Sequence, residues 1–413
     1  MRATTWRTPL VILLCGTLVM MIGFGVRMTF GIWLAPASAS LGWGLETLSF
    51  AMAIQSLAWG VATPIAGIIS DRYGAGRVVA GAGMAYVAGL VLMAGATTPL
   101  EAVLGIGVLT GIAMGGCSAS IILSVISRAV PDERKRAIYA GIATAGGFSG
   151  QVVFIPATQS VLVATDWTVT LMVLGAVAAL IIPLAAALVS PGAARAPDER
   201  LHTISTAVGE AFRHRGYLLL SMGYFVCGFQ TLFIATHFPP MLGGLGISGG
   251  TAAWALSLLG LSNVIGCFVW GALGGRWRGK HLLCWIYVLR SVAMTVFILL
   301  PITDLSVLVF ASAIGLVWLG TVPLTAGVVA RIFGTRYMAT LFGFSFLSHQ
   351  FGSFVGIWAG GWLFDETGSY MGIWWASIAL GLVAAALNLP IDDRPAAPNR
   401  STGAEHLRAT GAV

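Results

Sequence analysis

The chain is 413 residues long, 57% hydrophobic and only 9% charged, with a mean hydropathy of +0.90. Soluble domains carry roughly 25% charged residues, so a soluble globular protein is excluded. The net charge of +7 does not mark a nucleic-acid binder either, because the basic residues are scattered among short loops and form no basic face.

A spanning helix needs about 20 mostly apolar residues. The N-terminus imitates a signal peptide, with Arg2 and Arg7, an apolar run and then APASAS, yet the run from Pro9 to Leu34 is too long for a signal's hydrophobic region and reads as a retained first span. In chain order the predicted spans are 10–34, 48–70, 78–97, 102–127, 137–162, 168–190, 217–241, 251–273, 281–301, 305–328, 337–361 and 371–390. The longest polar interruption, 191–216, reads as a cytoplasmic linker between six-helix bundles at 1–190 and 217–390, and 391–413 as a cytoplasmic tail. Five cysteines (Cys15, Cys117, Cys227, Cys267, Cys284) lie in apolar stretches without metal-ligand spacing and read as inert packing residues.

The loops on the side of the two termini hold 20 of the 22 Lys and Arg residues, including Arg72 and Arg77, while the opposite loops hold only acids: Glu46, Glu101, Asp166, Asp304, Asp365 and Glu366. By the positive-inside rule both termini are cytoplasmic in a multi-pass cell-membrane protein, in the inner membrane if the source is bacterial. The halves also repeat. GIISDRYGAGR begins at Gly67 and GALGGRWRGK at Gly271, and the pair Gly141 and Gly150 recurs as Gly343 and Gly352. Two parallel six-helix halves are the layout of a carrier with its site between them.

The segment GIISDRYGAGR resembles the signature loop of the major facilitator superfamily, a glycine-framed acid-Arg turn between the second and third helices. That resemblance implies an all-α membrane fold of 12 helices in two six-helix bundles that rock around a central cavity. It implies that Asp71 latches near the start of the eleventh helix, with Arg72 and Arg77 beside it at the gate; in the second copy the acid's place is taken by Gly275. Lys135 to Pro156 and Gly343 to Tyr370, with the Arg136-x-x-x-Ala-Gly entry and the G-x-x-F-D-x-T-G-S-Y exit, resemble the monocarboxylate and oxalate/formate carrier branch. Monocarboxylate carriers usually place an acid-Arg pair in the eighth helix, where this chain has neutral GLSNVIGCF.

Ionisable groups within spans are costly and so informative; an Arg near the bilayer centre costs about 2.5 to 3.5 kcal/mol on insertion scales. The predicted spans hold Arg27, Arg290, His237 and His349 and no Asp or Glu, which favours an anion over a cation. Arg27 resembles the basic residue that monocarboxylate carriers hold in the first helix. It reads as a bidentate carboxylate anchor, or else as an arginine snorkelling to the outer interface. His349 lies where oxalate/formate carriers place a basic residue, opposite Gly147 in the repeat, and reads as a proton-coupling ligand or as a neutral histidine bonded to a neighbouring helix. Arg290 sits in a helix that the superfamily keeps on the outside of the bundle, and reads as a structural arginine bonded to carbonyls, a gate residue or a ligand. His237 shares a face with Gln230 and reads as a site or gate residue or an interface histidine. Gln55, Trp59, Thr144, Phe148, Gln151, Trp254 and Trp318 complete the candidate pocket.

The function these residues favour is secondary transport of a small organic anion, a monocarboxylate or short dicarboxylate, by proton symport or anion exchange, with the chain acting as a monomer and without a cofactor. Proton-driven efflux of apolar or cationic compounds stands as the alternative, weakened by the absent intramembrane acid. An enzyme would need convergent nucleophile, base or metal ligands, which the pattern lacks, and no P-loop points to ATP drive.

Overall fold

The computed structural model describes residues 7–130, 133–189, 206, 208–334 and 338–394. The described chain is helical, in twelve long units. These are α1 (Pro9–Met28, continued by Phe30–Leu41), α2 (Leu45–Tyr73), α3 (Ala75–Ala94), α4 (Pro99–Ile126), α5 (Glu133–Ala164) and α6 (Trp167–Leu188) in the first half. The second half contributes α7 (Arg215–Gly244), α8 (Gly249–Gly274), α9 (Gly279–Leu299), α10 (Asp304–Phe333), α11 (Met338–Thr367) and α12 (Met371–Asn388). Eleven of them are long and apolar enough to cross a membrane. The exception, α11, is 30 residues long but carries Ser345, Ser348, His349, Gln350 and Ser353 along its middle.

Local chemistry explains the helix starts. Side chains of Thr8, Asp166 and Ser248 accept from the backbone N–H three residues on, and Thr98 with Glu101 forms a reciprocal capping box. Between α2 and α3 the chain turns at Gly74, whose φ of 92° excludes a side chain without strain. Two predicted boundaries shift. The first span does not end at Leu34: it breaks at Thr29, where the hydroxyl donates to the Val26 carbonyl at 2.7 Å, and resumes to Leu41 with Pro36 inside the helix. The fourth span contains a π-helical stretch, Val103–Leu109, a local widening of the helix.

The packing repeats with the sequence. α1 packs on α5 as α7 does on α11, α2 on α4 as α8 on α10, and α3 on α6 as α9 on α12. Between the halves, α2 meets α11 and α5 meets α8, and the second segment of α1 meets α7. Lipid supplies no hydrophobic drive for helix association, so close approach through small residues carries it. A Cβ at Gly228 would overlap the His349 carbonyl, and one at Gly352 the Phe225 carbonyl.

Hydrogen bonds between the halves run from the middle of the bundle to the end that carries the acidic loops. There Asp365, at the end of α11, accepts from the backbone N–H groups of Leu45 (3.1 Å) and Glu46 (2.7 Å) at the start of α2, and Trp358 Nε1 donates to the Glu46 carboxylate at 3.0 Å. The acidic end is closed. Toward the basic end, positions Gly67, Gly141 and Gly343 face open space and Ile65 and Ile68 of α2 are exposed.

Candidate functional site

The break in α1 lies two residues past Arg27 and holds that side chain against α2 at the seam between the halves. Arg27 is 4% exposed, so it does not snorkel to an interface. One guanidinium nitrogen, Nη2, donates to Ser56 Oγ at 2.9 Å, the charged carbon lies 5.1 Å from the Trp59 ring centroid, and Nε is buried without a hydrogen-bond partner. Among the described residues no carboxylate pairs with it. A small void with room for about one water opens beside it, lined also by Gln55, Met52, Gly31, Thr236 and Ile357. Gln55 Nε2 donates to Thr110 Oγ1 at 2.6 Å, which turns the amide toward α4 while its stem lines the void.

From Arg27 a ladder of rings crosses the seam. Trp59 meets Phe346 edge to face at 5.4 Å, and Phe346 stacks on His349 at 5.8 Å. On its other side His349 lies 4.8 Å from the Tyr224 ring of α7. The Trp59 Nε1 and His349 Nε2 atoms are buried and unpartnered, as Arg27 Nε is. A parallel polar path joins the same residues: Gln350 Nε2 donates to the Ser56 backbone carbonyl at 3.2 Å, and Gln350 Oε1 lies 3.2 Å from His349 Nδ1. Arg27 and His349, two of the candidates read from the sequence, thus meet through Ser56 and Gln350, which that reading missed. Their signal was present: each is a polar residue inside an apolar span, next in sequence to a chosen candidate.

The other candidates divide. Gln151 crosses the second seam, donating to the Leu256 carbonyl of α8 at 2.8 Å. Phe148 packs edge to face on Phe24 at 5.2 Å, half-buried beside α1, and Thr144 is half-buried with its hydroxyl on the Ala140 carbonyl of its own helix. Arg290 is buried within the second half. Its Nε donates to the Val317 carbonyl at 2.8 Å, Nη2 to the Trp318 carbonyl, and Nη1 to Gln230 Oε1 at 3.3 Å. Those carbonyls follow the helical stretch Asp304–Leu316, the first part of α10, whose C-terminal dipole favours a cation. The geometry supports the structural reading of Arg290, with no described contact to the first half that a gate would use. Gln230 completes this cluster by donating to the Ser377 carbonyl at 2.8 Å, and Trp318, 4% exposed, serves it through its backbone. His237 is likewise satisfied, with Nε2 2.7 Å from the Ile357 carbonyl and Nδ1 3.4 Å from the Tyr370 hydroxyl. Trp254 departs from the expected pocket: it is 59% exposed on α8, as interfacial tryptophans are.

At the basic end, the side chain of Asp71 and residues 335–337 at the start of α11 lie outside the described residues, and so does the expected latch between them. Arg72 and Arg77 are exposed; Arg72 lies over the Tyr73 ring and Arg77 Nη1 reaches the Tyr73 carbonyl at 3.5 Å. In the second half, where Gly275 stands in place of the acid, the loop is held by an acid from beyond α12. Buried Asp393 binds Arg278 and lies 3.7 Å from Arg331. Burial alone would raise its carboxyl, but the Arg278 hydrogen bond and the charges of Arg278 and Arg331 bring it below the usual carboxylate range.

Twelve helices in two repeated bundles, meeting at α2–α11 and α5–α8, with a buried cation at the seam, describe a carrier. The Major Facilitator Superfamily profile matches residues 13–356 and 220–412. The chain belongs to the major facilitator superfamily. It is similar to the uncharacterised major facilitator transporter YhjX of Escherichia coli (strain K12), 24% identical over 85% of this chain and 86% of that one. It is also similar to the oxalate:formate antiporter of Oxalobacter formigenes (23%, covering 83% and 82%) and to monocarboxylate transporter 11 of Homo sapiens (27%, covering 78% and 68%). Among solved structures, a bacterial homologue of the lysosomal transporter Spinster superposes with a TM-score of 0.73 at 16% identity over 94% of this chain and 98% of that one. A D-xylose-proton symporter does so with 0.69 at 15% over 92% and 97%. These likenesses place the fold. The chain is a multi-pass membrane transporter and not an enzyme.

Proposed function

We propose that this transporter carries a small organic anion, a monocarboxylate or short dicarboxylate, by alternating access, with Arg27 as the anion anchor and His349 as the proton site. The observation that carries this reading is the state of Arg27: a permanently charged guanidinium, buried at the seam, with a free N–H and no carboxylate partner among the described residues. A buried unpaired charge is expensive, and a carboxylate substrate is the group that would complete it, in the two-pronged geometry that arginine favours. Trp59 Nε1 adds a second free donor close by. A proton on His349 and an anion on Arg27 each offset the charge of the other, and such reciprocal favour is what coupled binding requires. The oxalate:formate antiporter and the monocarboxylate transporters among the relatives agree with an anionic substrate.

With both termini read as cytoplasmic from the charges of the loops, the closed acidic end faces out and the conformation is read as inward-open. The halves then rock about the α2–α11 and α5–α8 seams, with Asp71, Arg72 and Arg77 forming the cytoplasmic gate and the protein working as a monomer, in the inner membrane of a bacterial source.

The test is reconstitution in liposomes and uptake of a panel of labelled carboxylates, with and without an inward proton gradient and an internal counter-anion, for wild type, Arg27→Ala and His349→Ala. Symport requires gradient-driven uptake that His349→Ala abolishes; dependence on internal anion alone makes the protein an exchanger anchored by Arg27. Movement of a cationic or apolar dye with no anion transport overturns the reading in favour of efflux.

A further inference from the structure

The two seams are built alike. In each, a glutamine crosses between the halves and donates its amide N–H to a backbone carbonyl whose helix carries a glycine four residues later: Gln151 to Leu256 beside Gly260, and Gln350 to Ser56 beside Gly60. The glycines let the amide stem lie flat on the facing helix, with side-chain carbons 3.0 to 3.2 Å from a Cβ position there. The two copies differ in one respect. The amide oxygen of Gln350 also meets a titratable ring, His349 Nδ1 at 3.2 Å.

A carbonyl only accepts, so the atom of Gln350 that faces the Ser56 carbonyl must be the amide nitrogen, and the atom that faces His349 must be the amide oxygen. An amide oxygen also only accepts. Nδ1 of His349 therefore carries a hydrogen, and the neutral ring keeps its lone pair on Nε2, the ring atom that is buried and unpartnered. One titratable group reaches the ring from another helix: the Cys227 thiol of α7, which lies within side-chain hydrogen-bonding reach of the imidazole. From α7, Tyr224 lies ring to ring at 4.8 Å and Cys227 bonds to Thr321 Oγ1 at 3.2 Å; from α9, Arg290 reaches Cys227 at 3.4 Å; Arg27 of α1 acts through Ser56. Among the described residues none of these groups is a carboxylate.

Building on the reading of His349 as the proton site, we propose that Gln350 is a positioning residue: it fixes His349 in the Nδ1–H tautomer, so that Nε2 alone takes the proton, and it does so only while the two halves meet at Ser56. Rocking of α11 away from α2 parts Gln350 from Ser56, frees the amide to turn and releases the tautomer. Ser56 is the junction, since its hydroxyl receives Arg27 and its carbonyl receives Gln350. Anion anchor and proton site are thereby tied to the same contact between halves.

The experiment is 15N NMR of the full-length protein, labelled at histidine and held in lipid nanodiscs, with the His349 signals assigned by their loss in His349→Asn. Wild type at alkaline pH should show a protonated Nδ1 and a bare Nε2. Gln350→Leu should populate the Nε2–H tautomer, and Gln350→Glu, which keeps an acceptor for Nδ1–H, should restore the wild-type pattern. In liposomes, Gln350→Leu should lose gradient-driven accumulation at least tenfold while anion exchange at equal pH falls less than threefold; a merely structural glutamine would lower both together. An Nε2–H tautomer in wild type, or an unchanged spectrum in Gln350→Leu, overturns the proposal. A fixed tautomer in a protein that moves no anion supports the positioning role and overturns the transport reading instead.

Discussion

Asp365 accepts a hydrogen bond from the backbone N–H of Glu46 at 2.7 Å, an acid at the end of α11 capping the start of α2 across the seam. Because α2 and α11 run antiparallel, this contact is the reciprocal of the one that the sequence leads one to expect at the other end, between Asp71 and the start of α11, which lies outside the described residues. The Asp365 contact, aimed at a helix N-terminus of the opposite half, provides a latch for the closed acidic end. A capping carboxylate contributes about 0.3 to 1 kcal/mol through the helix dipole alone.

Removing the acidic-end latch should open that end. In detergent, maleimide labelling of a Ser49→Cys reporter, at a fully buried position of α2 that faces Gly361, should rise about threefold to tenfold in Asp365→Asn. Gly44→Ala should do the same, since a Cβ there would overlap the Asp365 carboxylate. Unchanged labelling in both variants would show that the latch does not govern closure.

Arg27→Ala should weaken carboxylate binding about 10-fold to 100-fold, the range of one charge-assisted hydrogen bond, about 1.5 to 3 kcal/mol. Arg27→Lys should recover only part of it, because an ammonium lacks the planar fork. Scintillation proximity binding of the transported anion measures both. Equal affinity in all three proteins would remove Arg27 from the site.

Arg290 predicts the opposite pattern. Its nitrogens hold the Val317 and Trp318 carbonyls and Gln230, so Arg290→Gln should destabilise the second half by about 2 to 4 kcal/mol and lower Tm by several degrees. Anion affinity in the protein that remains folded should be unchanged. A variant with wild-type Tm and lost affinity would make Arg290 a ligand.

Gly228→Ala should separate α7 from α11, because the new methyl meets the His349 carbonyl. Overpacking of this kind costs about 1 to 3 kcal/mol. Thermal unfolding in nanodiscs should show the loss, with Gly243→Ala, where nothing lies within 4 Å, as a neutral control.

Asp393 sets a pH dependence at the basic end. Its carboxyl lies below the ordinary range, so its contribution is full above the unfolded value and is lost as pH falls through the folded one. Asp393→Asn should therefore lower Tm by about 2 °C at pH 7, and the gap should begin to shrink below about pH 4 and go on shrinking as pH falls further. A gap that is the same at pH 7 and at pH 2 would place the effect elsewhere.

The twelve helices and the repeat were legible because the bilayer imposes them: an unpaired backbone cannot cross hydrocarbon, so length and hydropathy suffice to read a span. The break at Thr29 and the continuation through Pro36 were not, since neighbouring helices decide whether a freed carbonyl is satisfied. Arg27 and His349 were legible as candidates because a charged or titratable residue in a span is costly wherever it points. Arg290, Gln230 and His237 looked the same in one dimension, and only the carbonyls of Val317, Trp318, Ser377 and Ile357 around them distinguish satisfied groups from waiting ones. Ser56 and Gln350 sit beside chosen residues, but their roles depend on which helix lies opposite, and Asp365 appeared only as a loop acid. Sequence determined which residues are expensive to bury; tertiary structure alone decided which of them found partners, because a hydrogen bond between helices 294 residues apart in the chain leaves no periodic trace in either.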